Sequence, residues 1–183
     1  GWDGQSLGNL LEVGVDAVLA VTNACYRPAS CEVRRGILWL SGGTVVADTV
    51  SIWENSTLGG SGTIIGETQC AGKFEPGTPI GALAQEGGLA LAVTAVAEFE
   101  IGGYTPDTEF DQAVVYGPCA LCGTLKIALV NSFVPHAGDR FVILTGSRVS
   151  GMFSDVVILN CPPELAADVV VDDATVTVVF VGR

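Results

Sequence analysis

Acidic side chains are the residues of this chain whose types and spacing first suggest chemistry. Asp107, Glu109 and Asp111 alternate like the first ligands of an EF-hand loop, and carboxylate oxygens are ligands that Ca²⁺ prefers. The rest of that motif is missing, because Gln112 stands where the loop needs glycine and Pro118 where it needs glutamate. We therefore expect either an irregular surface calcium site, at Asp107 and Asp111 or at Asp172 and Asp173, or turn-forming acids without a metal.

Glu98 and Glu100 are the pair that a glycan-cleaving enzyme would place across a cleft. They are two residues apart, so a strand puts both on one face and puts Phe99 and Ile101 on the other. That alternation is typical of an outward polar face over a buried one. The pattern favours a structural role for the two glutamates.

His136 is the single histidine of the chain, so any Ser-His-Asp or Cys-His arrangement would have to include it. It lies between Pro135 and Ala137-Gly138-Asp139, which is the composition of a turn. We predict an exposed loop histidine and no nucleophilic triad.

No glycine cluster precedes a helix, so no phosphate or dinucleotide loop is predicted. The sequence therefore predicts no catalytic residue and no cofactor.

Six cysteines suggest disulfides and an oxidising compartment. Cys25 and Cys31 bracket a short loop, so we expect them to pair and to staple a segment at about 22–36. Cys119 and Cys122 are close enough to meet in a turn, and their spacing also suits zinc, but a second ligand pair of similar spacing is missing.

The chain also begins at Gly1 without a leader, which suggests a processed secreted chain or a fragment of one. Asn55-Ser56-Thr57 is a sequon for glycosylation of Asn55.

Length and charge restrict the class of protein. The chain has 183 residues, of which 49% are hydrophobic, so we expect one domain over 1–183 with its own core. Its net charge of −12 repels phosphate backbones, which predicts no nucleic-acid partner. Polar or glycine residues interrupt every apolar run before the roughly 18 residues that a membrane helix needs, which predicts no membrane insertion.

Short segments of alternating hydrophobicity predict an all-β protein. They lie at 37–40, 50–52, 89–93, 99–101, 125–129, 141–143 and 176–180. Glycine and proline clusters between them indicate closely spaced turns. Only 163–167 has the composition of a single helical turn.

Two all-β architectures compete, a β-sandwich and a β-solenoid. A sandwich would favour Asn-Gly or Asp-Gly hairpins, which are missing from the body of the chain. Gly-Thr followed by apolar residues recurs instead, beginning at Gly43, Gly62 and Gly123. Such recurrence favours coils whose corners admit only glycine, and therefore a β-solenoid, with the β-sandwich as the alternative.

A family resemblance agrees with the coil hypothesis. The stretch 56–66, Ser-Thr-Leu-Gly-Gly-Ser-Gly-Thr-Ile-Ile-Gly, and the segments 110–117, 121–125 and 133–144 occur in the order of the coil motifs of secreted surface proteins. They resemble the right-handed parallel β-helices of autotransporter passenger stems and of bacterial surface proteins with PEP-type sorting tags. The resemblance implies a right-handed parallel β-helix, an extracellular or cell-surface location and a structural or adhesive role.

From these patterns we expect an extracellular structural protein that assembles with copies of itself into a surface layer or filament. Its C-terminal segment at about 174–182 is β-branched and almost uncharged, so it is predicted to add to a strand edge or to close its own sheet. The alternative is a glycan-binding adhesin module, and a third reading is a polysaccharide-active enzyme. Glycan binding would use outward aromatic residues, for which the candidates are Trp2, Tyr26, Trp53, Tyr104 and Tyr116.

Overall fold

The structure, a computed structural model, describes residues 10–77 and 79–183, and β-strands are its only regular elements there. The predicted all-β class is therefore confirmed. The strands are β1 Leu10–Val13, β2 Val18–Thr22, β3 Cys25–Tyr26, β4 Ser30–Val33, β5 Ile37–Ile52, β6 Thr57–Cys70, β7 Lys73–Pro76, β8 Ala82–Gln85, β9 Leu89–Leu91, β10 Val96–Ile101, β11 Gln112–Val115, β12 Pro118–Leu121, β13 Thr124–Leu129, β14 Arg140–Thr145, β15 Arg148–Gly151, β16 Asp155–Leu159, β17 Leu165–Val171 and β18 Thr175–Gly182.

Hydrogen-bond pairing sorts the strands into three stacks, which the chain visits in turn. Stack A contains β2, β5, β6, β7, β10, β13 and β16. Stack B contains β3, β5, β6, β8, β11, β14, β18 and β17. Stack C contains β1, β4, β5, β6, β9, β12 and β15. The long strands β5 and β6 run through all three stacks, so the fold is solenoid-like.

A C-terminal hairpin makes the sheet mixed. The strand pairs within the stacks are parallel up to β14, β15 and β16, but β18 is antiparallel to both β14 and β17. Above the last complete layer, which is β13, β14 and β15, stack A has one more strand (β16) and stack B has two (β18 and β17). Stack C has no further strand in the part of the chain that the structure describes.

Alternation along each strand builds one core between the stacks. In β10, Ala97, Phe99 and Ile101 point inward and are at most 1% exposed, whereas Glu98 and Glu100 point outward, as predicted. Inward-pointing residues of successive strands are in register, so they form columns of side chains that run through the core. One such column is Leu38, Leu58, Phe74, Ala97 and Leu125. Burial of each large apolar side chain contributes about 1.5–3 kcal/mol.

The recurring glycines lie where neighbouring strands approach most closely. Gly43 and Gly62 are in register, and a Cβ on Gly62 would overlap the carbonyl oxygen of Gly43. Gly60 has φ of +90°, and a Cβ there would overlap the carbonyl oxygen of Leu40. The Gly-Thr recurrence therefore reflects stacking of one strand on the next.

One local prediction is wrong, and for the C-terminal strand the structure decides between the two alternatives in favour of closing its own sheet. In the segment 163–167, residues 163 and 164 form a turn and 165–167 are the start of β17, so no helical turn forms there. The strand expected at 174–182 exists as Thr175–Gly182 but is not a free edge, because it pairs with β14 on one side and β17 on the other. Its residues Val176, Val178 and Phe180 are fully buried. Within the described residues, no helix is long and apolar enough to cross a bilayer.

Candidate functional site

Three successive loops that connect stack A to stack B form a polar constellation whose side chains bond to one another. They are 77–81, of which residue 78 lies outside the described residues, 102–111 and 130–139. We call this region the loop corner. Asp107, Asp111 and His136 from the sequence analysis all lie in it, because loops in the same position of successive layers stack on one another.

Asp111 joins two of these loops. Its Oδ1 accepts the N–H of Gly81 at 3.0 Å and its Oδ2 accepts the N–H of Glu100 at 2.7 Å, while the residue is only 1% exposed. Burial, together with the nearby charges of Glu100 and Glu75, raises the pKa of Asp111 to about 7, although the two backbone hydrogen bonds oppose this shift. The predicted surface position of Asp111 is thus not observed. Its carboxylate fastens 77–81 to the end of β10.

Tyr104 joins the second loop to the third. Its hydroxyl donates to Oδ2 of Asp139 at 2.8 Å and lies 3.0 Å from Nδ1 of His136. The same Asp139 oxygen accepts the backbone N–H of His136 at 2.7 Å. His136 is exposed, as predicted, with 81% of its side chain accessible. Its partners, however, could not be recognised from the sequence, since Tyr104 is 32 residues away.

An aromatic cluster supports the loop corner from below. The Tyr104 ring stacks on Phe141 with centroids 5.9 Å apart and meets the edge of Phe133 at 5.0 Å. Phe110 and Phe180 contact Phe141 at 5.4 and 5.8 Å. Because Phe180 belongs to the C-terminal hairpin, the cluster connects the loops to the last strands of the fold.

Asp107 does not complete a metal site with Asp111. Asp107 is exposed in a turn with φ of +64°, while both carboxylate oxygens of Asp111 accept backbone hydrogen bonds. No group of three or more His, Cys, Asp or Glu side chains suited to a metal occurs among the described residues. Of the nearby carboxylates, Glu109 accepts the N–H groups of Tyr104 and Thr105. The side chain of Thr105, followed by these two N–H groups, lowers the pKa of Glu109.

A charged ladder runs along the outside of stack A, toward the start of its strands. Glu98 on β10 lies between Lys73, 2.8 Å away, and Lys126, 3.0 Å away. Partial burial raises the pKa of Glu98, but the two lysines outweigh that effect and lower it. The ladder lines a groove of about 590 Å³ whose wall includes Asn55. Asn55, the predicted glycosylation residue, is exposed in a turn with φ of +60°.

The cysteines correct the disulfide prediction, because all six are free. Cys25 on β3 is exposed in stack B, whereas Cys31 on β4 points into the core of stack C, so the expected bridge is not formed. Cys119 also points inward, while Cys122 is half-buried and lies 4.0 Å from the hydroxyl of Ser154. Burial raises the pKa of the Cys31, Cys70 and Cys119 thiols to about 12.

Three of the aromatic candidates are exposed as predicted, namely Trp53 (46%), Tyr104 (53%) and Tyr116 (65%). The guanidinium of Arg34 lies 4.1 Å from the centre of the Trp53 ring. A groove of about 310 Å³ beside this tryptophan is lined by residues that include Ser51, Gln69 and Ala90. Trp2 lies outside the described residues.

Comparisons with known proteins do not place the chain in a family. No protein-family model matches the chain, and no curated protein matches it. The functional reading therefore depends on the geometry of the fold and on the motifs of the sequence.

Proposed function

We propose that this chain is an extracellular structural protein that assembles with copies of itself through the ends of its strand stacks. We further propose that the stacks are a right-handed parallel β-helix, which the resemblance to secreted surface proteins implies. The observation that carries the assembly proposal is the outer edge of β16 at the C-terminal end of stack A.

The backbone of β16 is paired on one side only within the described residues. The N–H of Thr124 donates to the start of β10, so alternation along β13 directs the backbone groups of Leu125 and Ile127 toward β16. In the register of the two strands these groups bond to Asp155, Val157 and Leu159. The N–H and C=O groups of Val156 and Ile158 then face outward from the stack, where the carboxylate of Asp155 accepts the N–H of Val156 at 2.9 Å. Such groups are a template for another strand.

The side chains of β16 support the same proposal. Val156 and Ile158 are in register with Leu125 and Ile127, which are fully buried in the layer below. Val156 is nevertheless 38% exposed, and Val157 and Leu159 are each 37% exposed. Covering these apolar residues with a further layer would stabilise an assembly by about 25 cal/mol for each Å² buried.

The test is the size of the purified protein over a wide range of concentrations, measured by light scattering and sedimentation. We expect particles larger than one chain that dissociate on dilution. A protein that remains monomeric at the highest concentration would overturn the assembly proposal.

Glycan binding is the second candidate function, and the exposure of Trp53 beside a shallow groove favours it. Indole rings stack on the apolar faces of sugars, while Ser51 and Gln69 offer hydrogen bonds along the groove. A glycan array would test it: Trp53→Ala should abolish any signal that the wild type gives, and Tyr116→Ala, an exposed aromatic outside this groove, should retain it. The absence of any wild-type signal would remove this candidate.

A further inference from the structure

We infer that two copies of the chain join by antiparallel pairing of β17 with β17 of a second copy, about a two-fold axis at Val169. This inference rests on the proposed self-assembly and identifies the contact surface and its partner. Because the same strand lies on both sides of the contact, the contact closes on itself and joins two chains.

The strand β17 is paired along one edge in the part of the chain that the structure describes, and its partner there is β18. At the two ends of this pairing the N–H of Arg183 donates to Glu164 at 2.9 Å and the N–H of Asp172 donates to Thr175 at 3.0 Å. Along an antiparallel pair, residues that bond to the neighbouring strand alternate with residues that face away from it. The even-numbered residues from 164 to 172 therefore bond toward β18.

The odd-numbered residues of β17 turn their backbone groups to the open edge. The N–H and C=O groups of Ala167, Val169 and Val171 have no partner among the described residues. Leu165 differs, because its N–H donates to Pro162 at 3.0 Å and its carbonyl accepts the thiol of Cys161 at 3.6 Å. The open part of the edge is thus 167–171, and such an edge is a template for another strand.

The side chains of β17 are suited to a copy of the same strand. Ala167, Val169 and Val171 pack on the core, so Val170 points outward, where it is 42% exposed. A two-fold axis perpendicular to the sheet puts the inward rows of both copies on the same face of the joined sheet. The apolar surface of one hairpin then continues into that of the other.

An axis at Val169 bonds every free backbone group of the edge. Val169 then pairs with its own symmetry mate, and Ala167 of each chain pairs with Val171 of the other, which gives three hydrogen-bonded residue pairs. Asp168 lies opposite Val170 of the second copy. The two carboxylates of Asp168 are therefore kept apart.

Neighbouring registers are less favourable. An axis at Asp168 would place its carboxylate directly opposite the same carboxylate of the second copy, which destabilises a sheet. An axis at Ala167 would need the backbone groups of Leu165, which are already bonded. An axis at Val170 would place Asp168 opposite Asp172, again two acids. The position of one charge thus selects the register.

Head-to-tail pairing of β17 would meet a much shorter strand. In the described residues the first strand of stack B is β3, which has two residues, whereas β17 has seven. Stack B also extends two strands beyond the last complete layer, whereas stack A extends one. Two inverted copies therefore meet at β17 before their other stacks touch.

The first experiment places a charge opposite Asp168. Val170→Lys brings an ammonium group to Asp168 of the second copy, and Val170→Asp brings a carboxylate. Over the two symmetric contacts the dimer dissociation constants should differ roughly 2- to 30-fold, with the lysine variant tighter. Ala120→Lys and Ala120→Asp, at an exposed position of β12, control for net charge and should not differ. Equal constants for the two Val170 variants would contradict the register.

The second experiment removes the central hydrogen bonds. Val169→Pro deletes an N–H that the single chain does not use, so the variant should fold but sediment as a monomer. Val169→Ala keeps the N–H and should remain a dimer, and circular dichroism checks that both variants fold. Assembly that survives Val169→Pro would overturn the inference and leave the proposed function standing. A wild type that is monomeric at all concentrations removes both.

The third experiment traps the axis and does not depend on the proline variant. Cys25→Ser first removes the exposed native thiol, and this variant under the same oxidant is the control. In a hydrogen-bonded pair the Cα atoms are about 5.5 Å apart, within the range of a disulfide. Val169→Cys should therefore give a covalent dimer on mild oxidation, whereas Val170→Cys, which does not face its own mate, should not. The reverse pattern, or no cross-link in an assembled Val169→Cys protein, would contradict the axis.

Discussion

Asp111 is the residue whose protonation should be visible in the stability of the whole protein. Burial raises its folded-state pKa from 3.8 to about 7, so the folded state holds a proton that the unfolded state has released. Its contribution to stability is complete below 3.8 and is lost as the pH rises to about 7. Glu100, whose pKa is also raised by burial, acts in the same direction.

Asp111→Asn should therefore flatten the pH dependence of the unfolding free energy over this interval. We expect the decrease in the wild type to exceed that in the variant by on the order of 2 kcal/mol in urea titrations. The asparagine can accept only one of the two N–H groups, so the variant is less stable overall and the comparison concerns slopes. Parallel slopes for the two proteins would rule out this role of Asp111.

Tyr104, in contrast to Asp111, is a residue whose substitution should have a local effect. Tyr104→Phe keeps the ring on Phe141 but removes the hydroxyl that reaches Asp139 and His136. Amide hydrogen exchange in 102–111 and 131–139 should become faster, while the midpoint of thermal unfolding changes little. His136→Ala should have a smaller effect, because Asp139 still accepts the tyrosine hydroxyl. Unchanged exchange in Tyr104→Phe would mean that packing alone orders the loops.

At the scale of elements, strand stacking depends on a few positions that exclude a Cβ. Gly60→Ala introduces a methyl group against the Leu40 carbonyl at a φ of +90°, so it should destabilise by about 2 kcal/mol or more. Gly14→Ala is the matched control, since a Cβ there meets no atom within 4 Å. Chemical denaturation of the two variants gives the measurement. Equal free energies of unfolding for the two variants would show that β5 and β6 can move apart at Gly60 with no loss of stability.

At the scale of the whole molecule, the hairpin of β17 and β18 closes the C-terminal end of the core. Phe180 contacts Phe141, and Val176 and Val178 are fully buried, so removing 165–183 should expose the aromatic cluster. We expect the shortened chain to lose cooperative unfolding and to bind a hydrophobic dye. A shortened chain that unfolds cooperatively would show that the other layers close the core by themselves.

The sequence by itself determined the all-β class and the inward and outward faces of the strands. Alternation depends only on neighbours in the chain, which is why Glu98 and Phe99 were assigned to the correct faces of β10. The glycine motifs predicted coils for the same local reason, since a missing Cβ is needed at the positions where two strands approach most closely. The strand at the C-terminus was also predicted within one residue.

Only the tertiary structure decided which residues meet. Sequence distance gives no indication that Tyr104 reaches Asp139 or that Asp111 is clamped by Gly81, because stacking of successive layers creates these contacts. The same reason separates Cys25 from Cys31, since the chain turns from stack B into stack C between them. The stacking of layers also decides that β18 is paired along both edges and that β16 is paired along one. Which strand is an edge strand depends on where the stacks end and not on the composition of the strand.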